Sequence, residues 1–312
     1  MHLRQRDAIK HFLSLADFTA DELETLFNTG DRLREAWRAG ALPRLLAGKA
    51  VALWFDDTGF RNRVAFEIGI GAMGGSIAQV PGVLGQREPV DDVAAYLSNW
   101  CAGIVVRTGQ HEALCQLAAA ATVPVINART GYNHPCEVLG DLQYVRAQRG
   151  ELSGLRVAFI GEATNLCHTW FEAAARLPIH VMQACPEGYQ IAPERLAALR
   201  EGAVGGLDTT ADLHLALHEA HVVYTDCWPR HTDEAERERL QHLFAPYRVT
   251  QALLQRCSPD VMFLPCPPVH RGEEVDAEVM HAPQCRVYEA KEYLLHAQNA
   301  VLAWALGKEG NV

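Results

Sequence analysis

The sequence predicts an α/β protein built from two doubly wound parallel-sheet domains joined by interdomain helices, and three observations carry the prediction. Short apolar runs of strand length alternate with amphipathic stretches of helical period along almost the whole chain. The runs are largely apolar, as in strands covered on both faces, which belong to parallel sheets. The 312 residues are 49% hydrophobic and 21% charged, enough to bury two cores of ordinary size.

Taken in order, the first domain contains "KAVALWF" (49–55), "SIAQV" (76–80), "GIVVRT" (103–108) and "VPVIN" (123–127), each too short for a helix and rich in β-branched residues. Between them, "VDDVAAYLSNW" and "HEALCQLAAAA" repeat apolar residues at helical spacing. A helix beginning near His134, "HPCEVLGDLQYVRAQ", leads into the second domain, with "LRVAFIG" (155–161), "IHVMQAC" (179–185), "HVVYTD" (221–226) and "VMFLPC" (261–266). The domains are thus expected at 1–140 and 150–285. The last helix, "EAKEYLLHAQNAVLAWAL" (289–306), is apolar on one face and is expected to pack back on the N-terminal domain. Ligands of such domains bind beyond the carboxyl ends of the strands, so those ends are where functional residues are sought.

Composition narrows the partners. A net charge of −10 and a pI near 5.8 disfavour nucleic acid and anionic membrane, both of which reward a basic face. No apolar run reaches membrane-span length and "MHLRQRDAIKHFLSLADF" lacks the regions of a signal peptide, so a cytoplasmic protein is expected. Nine cysteines without a CxxC pair argue against a disulfide framework and a zinc ribbon; most are expected to be reduced and buried. His214, His218 and His221 lie at helical spacings but lack a third kind of ligand nearby in sequence. "LRVAFIGEATNLCHTW" runs from strand to turn to helix, yet only Gly161 stands where G-x-G-x-x-G would be needed, and the next strand ends without an acidic residue for a ribose. No nicotinamide cofactor is expected.

Read in order, the strand ends are "FDDTGFRNRVAFE", "VVRTGQH", "NHPCEVLGDL", "GEATNLCHT", "YTDCWPRH", "FLPCPPVHRGEEV" and, in the last helix, "LLHAQNAVL". Together they resemble the aspartate/ornithine carbamoyltransferase family, closer to its ornithine branch, over nearly the whole chain. The resemblance implies transfer of a carbamoyl group from carbamoyl phosphate, or a related anionic donor, to an amine of an amino-acid-like acceptor. It also implies no metal or organic cofactor, and a homotrimer whose sites lie between subunits. Such chemistry needs cations and N–H donors for a tetrahedral oxyanion and a departing phosphate. In register with the family, Arg61 and Arg107 fall on the phosphate and carbonyl oxygen, His134 on the carbonyl-polarising histidine, and Gln86 and Arg87 on the loop (80–92) lent to the neighbouring subunit.

The departures from the pattern are as informative. The family's Ser-Thr-Arg-Thr-Arg phosphate loop is here Gly59, Phe60, Arg61, Asn62 and Arg63: two hydroxyls are lost and a third becomes an amide. Each hydrogen bond to a charged group contributes roughly 1.5–3 kcal/mol, so the loss needs compensation from helix-start N–H groups and Asn62. His-Pro-x-Gln becomes His134-Pro135-Cys136-Glu137. Glu137 either accepts from the carbamoyl NH2, at an electrostatic cost beside a phosphate, or simply complements a helix N-terminus. His-Cys-Leu-Pro becomes Pro265-Cys266-Pro267-Pro268, where the family's cis peptide would be Pro267–Pro268. Cys266 reads either as lining the amine subsite or as a buried apolar thiol. Leu294 replaces an arginine on the donor.

On the acceptor side Asn165, Asp226 and Trp228 match the family, whereas Ser-Met-Gly is replaced by Arg230, His231 and Thr232. These changes suit an acceptor other than ornithine carrying an extra anionic group. A non-catalytic or regulatory paralogue, and a transferase or lyase using another donor, remain the alternative readings.

Overall fold

The computed structural model describes residues 9–312. Contacts divide the chain into two units: one runs to Gln143 and takes in Glu292–Val312, and the other is Tyr144–Lys291. The first contains α1 (Ala20–Arg38), β1 (Ala50–Phe55), α2 (Phe60–Ala72), β2 (Ser76–Val80), α3 (Val90–Trp100), β3 (Gly103–Arg107), α4 (His111–Ala120), β4 (Val125–Arg129) and the first part of α5 (Pro135–Arg149). The second continues through β5 (Arg156–Ile160), α6 (Asn165–Arg176), β6 (His180–Ala184), α7 (Pro193–Arg200), β7 (Gly206–Thr210), α8 (Leu213–Leu217), β8 (Val222–Thr225), α9 (Glu234–Phe244), α10 (Gln251–Leu254), β9 (Met262–Pro265) and the start of α11 (Val287–Ala305).

Every sheet pairing is parallel, in the order β2-β1-β3-β4 in the first unit and β7-β6-β5-β8-β9 in the second. The expected α/β class and the two doubly wound sheets are therefore present. The apolar runs sit where burial on both faces requires them: Val51, Ala52 and Leu53 of β1 and Ile104, Val105 and Val106 of β3 are fully buried. One core cluster packs α3 and α4 on the first sheet through Val93, Leu97, Leu114, Leu117, Ile104 and Val106. In the second unit, Ile160, Val223 and Phe263 anchor the corresponding cluster.

Two elements differ from the sequence reading. β4 spans Val125–Arg129, displaced from the expected 123–127; Pro124 just before it has no N–H to donate, although its carbonyl accepts from Ile104 N–H of β3. β7, "GLDTT", escapes a hydrophobicity reading because it is an edge strand paired only with β6, and just Leu207 of its residues is buried.

Local chemistry explains the boundaries. Thr19 caps α1, and Glu22 completes a capping box that also holds its own carboxyl below the usual range. The C-terminal helix returns to the N-terminal unit as expected: Glu292 of α11 pairs with Arg34 and Arg38 of α1, each at 3.0 Å, and the backbone at Leu294 lies against Gly140 of α5. All nine cysteines are thiols, four of them buried. No helix among the described residues is long and apolar enough to cross a membrane. Residues 1–8, the start of the segment expected to lack the regions of a signal peptide, lie outside the described residues.

Candidate active site

The donor-side residues gather where the strand order of the first sheet reverses, between β1 and β3. Phe55 of β1 is the register partner of Arg107, which pairs in turn with Arg129 of β4, so two guanidinium-bearing residues end neighbouring strands. Gly59 caps α2 in the left-handed conformation, φ 30° and ψ 44°. A Cβ at Gly59 would run into the Arg107 side chain. Glycine therefore lets Arg107 lie across the turn. The first-turn N–H groups of α2 have no acceptor within the helix and open onto this turn.

Phe60, unexplained by a phosphate site, is 63% exposed, and its ring centroid lies 4.8 Å from the Arg61 guanidinium. The ring and the guanidinium are placed for a cation–π contact. Asn62 is buried; its Nδ2 donates to the Ala128 carbonyl at 3.1 Å, and Gln298 donates to its Oδ1 at 3.1 Å. The side chain thus ties α2 to β4 and α11, and the backbone N–H is what Asn62 presents at the helix start. Arg63 belongs to the helix surface, bonded to Glu67 at 2.9 Å and Gln79 at 2.8 Å.

His134 stands just before α5, buried, with Nε2 3.8 Å from Oε2 of the equally buried Glu137. The two side chains lie side by side at a helix start. Cys136 between them points elsewhere, its thiol donating to the Asn127 carbonyl at 3.3 Å. Leu294 is buried against Gly140 and brings no cation. Gln86 and Arg87 are exposed on a loop whose base is pinned by Leu84 N–H on Asp56 Oδ1 (3.2 Å) and Trp54 Nε1 on the Gly82 carbonyl (2.7 Å).

The acceptor-side residues gather in the second unit at the ends of three adjacent strands, β5, β8 and β9, again beside the reversal of strand order. Asn165 opens α6 behind Thr164, whose hydroxyl accepts from Cys167 N–H. Asp226 follows β8 and accepts from Cys227 N–H at 2.8 Å. Cys266 follows β9, its N–H held by the Thr225 carbonyl at 2.8 Å, and leads into the cis Pro267–Pro268 peptide. Arg230 and His231 lie with Trp228, Arg237 and Glu273 around a cavity of about 280 Å³; Arg230 reaches Glu273 at 3.8 Å, and His231 accepts from Asp233 N–H. His214, His218 and His221 do not come together as a ligand set: Nδ1 of His221 accepts from Arg156 N–H.

Two carboxylates at these sites were not anticipated. Asp57 accepts from Arg107 Nε at 2.5 Å and from Arg129 at 3.3 Å, so it holds both strand-end guanidiniums. Its signal was available, as the second acid of "FDDTGF" immediately before the anion loop. Glu162, beside Gly161 at the end of β5, has its carboxyl pushed up to about 7 by burial and then by the nearby Asp226 carboxylate. Only the fold could reveal that proximity.

Comparison with known proteins bears on both units. The carbamoyl-P binding domain of aspartate/ornithine carbamoyltransferases matches residues 10–147, and the Asp/Orn binding domain of the same enzymes matches residues 153–305. The ornithine carbamoyltransferase of Pelobacter propionicus is 38% identical over 303 residues, covering 96% of this chain and 99% of that protein. The one from Geobacter sulfurreducens is 36% identical over 298 residues, covering 95% and 98%. Among solved structures, ornithine carbamoyltransferase from Pyrococcus furiosus superposes with a TM-score of 0.92 at 34% identity, covering 96% of this chain and 98% of that one.

Proposed function

Because the chain belongs to the aspartate/ornithine carbamoyltransferase family, we propose that it transfers a carbamoyl group from carbamoyl phosphate to the amine of an amino-acid-like acceptor, using the first unit for the donor and the second for the acceptor. The observation that carries the reading is the retained pair Arg61 and Arg107 around the glycine-capped start of α2. In the reaction, the acceptor nitrogen forms a bond to the carbonyl carbon, and the carbon–oxygen bond to phosphate breaks with its electron pair leaving on phosphate. A proton passes from nitrogen to phosphate or solvent. Arg61, Arg107 and the N–H groups contributed by Gly59, Phe60 and Asn62 at the helix start stabilise the departing phosphate. His134, held by Glu137, and Arg107 polarise the carbonyl, while Asp226 and Asn165 orient the amine and Cys266 lines its approach.

The finer part of the proposal concerns the acceptor. Arg230 and His231 at the rim of their cavity favour one bearing an additional anionic group, other than ornithine itself. Purified protein assayed with carbamoyl phosphate against ornithine and a panel of acidic and N-substituted amino acids tests both levels. Turnover only with ornithine removes the finer proposal and leaves the transfer intact. No turnover with any amine, together with no calorimetric binding of carbamoyl phosphate, removes the transfer as well.

A second reading, that the chain is a non-catalytic paralogue, is favoured by Asp57 lying on Arg107 and by Glu137 in place of an amide. Replacing Glu137 by Gln separates the cases. Tighter carbamoyl phosphate binding without turnover marks a degraded donor site, whereas loss of an existing turnover marks chemistry that depends on the carboxylate, as in a transferase or lyase with another donor. The assembly is proposed to be a homotrimer in which Gln86 and Arg87 reach a neighbouring subunit's site.

A further inference from the structure

The segments after β8 and β9 bring together three side chains that the transfer does not use: Cys227, His270 and Glu274. Their ligating atoms all lie within 4.8 Å of one another, and no other group of three potential ligands approaches this closely among the described residues. His270 Nδ1 stands 3.3 Å from Glu274 Oε1, and the Glu274 side chain is only 2% exposed. Oε1 accepts from His270 N–H at 2.5 Å, while Oε2 is buried without a hydrogen-bond partner. A buried carboxylate oxygen left without a donor is costly, and in this setting a cation is the partner that would satisfy it. The Cys227 thiol donates to the Pro268 carbonyl at 3.4 Å.

We propose that Cys227, His270 and Glu274 form a binding site for a divalent cation of the zinc class. Metal–ligand bonds of about 2.0–2.3 Å in a tetrahedron put ligand atoms about 3.3–3.6 Å apart. The histidine–glutamate pair is already at that separation, and the sulfur, within 4.8 Å of both, has at most about 1.5 Å to close. A thiolate with an imidazole selects zinc over magnesium or calcium, and the thiolate and carboxylate together neutralise its charge. On binding, the sulfur–hydrogen bond is replaced by a sulfur–metal bond and the proton leaves to solvent. Three protein ligands leave a fourth position for water or an incoming group. The ion would tie the Asp226–Trp228 segment to the segment that begins at Cys266. Sequence spacing hides the site, because one ligand comes from a different strand end than the other two.

The test is a titration of the metal-stripped full-length protein with cobalt(II). The expected result is one cobalt per chain, with the visible bands of tetrahedral coordination and a near-ultraviolet thiolate charge-transfer band. Cys227→Ala should abolish the charge-transfer band, Cys266→Ala should keep it, and stoichiometric zinc should displace the cobalt. Zinc should also raise the melting temperature of the wild type, and Glu274→Gln should weaken zinc binding at least 100-fold. Circular dichroism identifies any variant that does not fold, and for Cys227 the serine variant then replaces alanine. Absence of the charge-transfer band in the wild type, its persistence without Cys227, or a wild-type melting temperature indifferent to zinc each overturns the proposal. None of these readouts depends on carbamoyl transfer.

Discussion

An anion at Arg107 competes with Asp57, because the carboxylate accepts from the guanidinium Nε at 2.5 Å and from Arg129 at 3.3 Å. The anion must displace this carboxylate or share the arginine with it, and either route weakens binding. Asp57→Asn keeps the shape and removes the charge. It is expected to tighten inorganic phosphate binding about tenfold, equivalent to about 1.4 kcal/mol, with a smaller gain at high salt because Asp57 is half exposed. Calorimetric titration with phosphate at two ionic strengths checks this; unchanged affinity at low salt would show that Asp57 does not compete. The residue types at this site were legible in the sequence, but their pairing was not. Arg61, Arg107 and His134 could be placed by register with a family, whereas the contact of Asp57 with two arginines depends on β1, β3 and β4 lying side by side.

At the scale of elements, the seat of α11 is sensitive at two positions, one on α5 and one on α11 itself. Gly140 of α5 lets the backbone of α11 approach, and a Cβ there would sit 3.0 Å from the Leu294 Cα, against backbone that cannot swing aside. Gly140→Ala is therefore expected to destabilise the protein by about 1–3 kcal/mol, read as a lower denaturant midpoint with an unchanged slope. His296 is fully buried with neither ring nitrogen hydrogen-bonded, its ring 6.2 Å from that of Trp37. Burial pulls its pKa down from 6.5 to about 4, opposed by Glu292 and assisted by Arg34 and Arg38. The folded ring stays neutral while the unfolded ring takes up a proton as pH falls below 6.5, so stability is lost from about pH 6.5 to about pH 4. His296→Leu should lose less of its melting temperature than the wild type between pH 7 and pH 4.5, and should be near neutral at pH 7. Equal losses in the two proteins would show that His296 does not titrate in this way.

For the whole molecule, the proposed trimer predicts a light-scattering mass near three times 34.4 kDa. It also predicts that Arg107→Ala and Arg87→Ala subunits, each impaired alone, recover activity when unfolded and refolded together, because a site drawing the two residues from different chains is then intact in the hybrid. A mixture no more active than its parents refutes sharing of the site. The sequence by itself determined the α/β class, the parallel sheets and the return of the last helix, since those follow from the period and extent of apolar burial, which are local properties of the chain. It also located the strand ends that carry Arg61, Arg107, His134, Asn165 and Asp226. Only the tertiary structure decided which charges face one another: Asp57 against Arg107, Glu162 beside Asp226, and Glu274 with His270 and Cys227. Those pairings join residues on different strands, and the distance between such residues is set by sheet order and register, for which sequence separation is no measure.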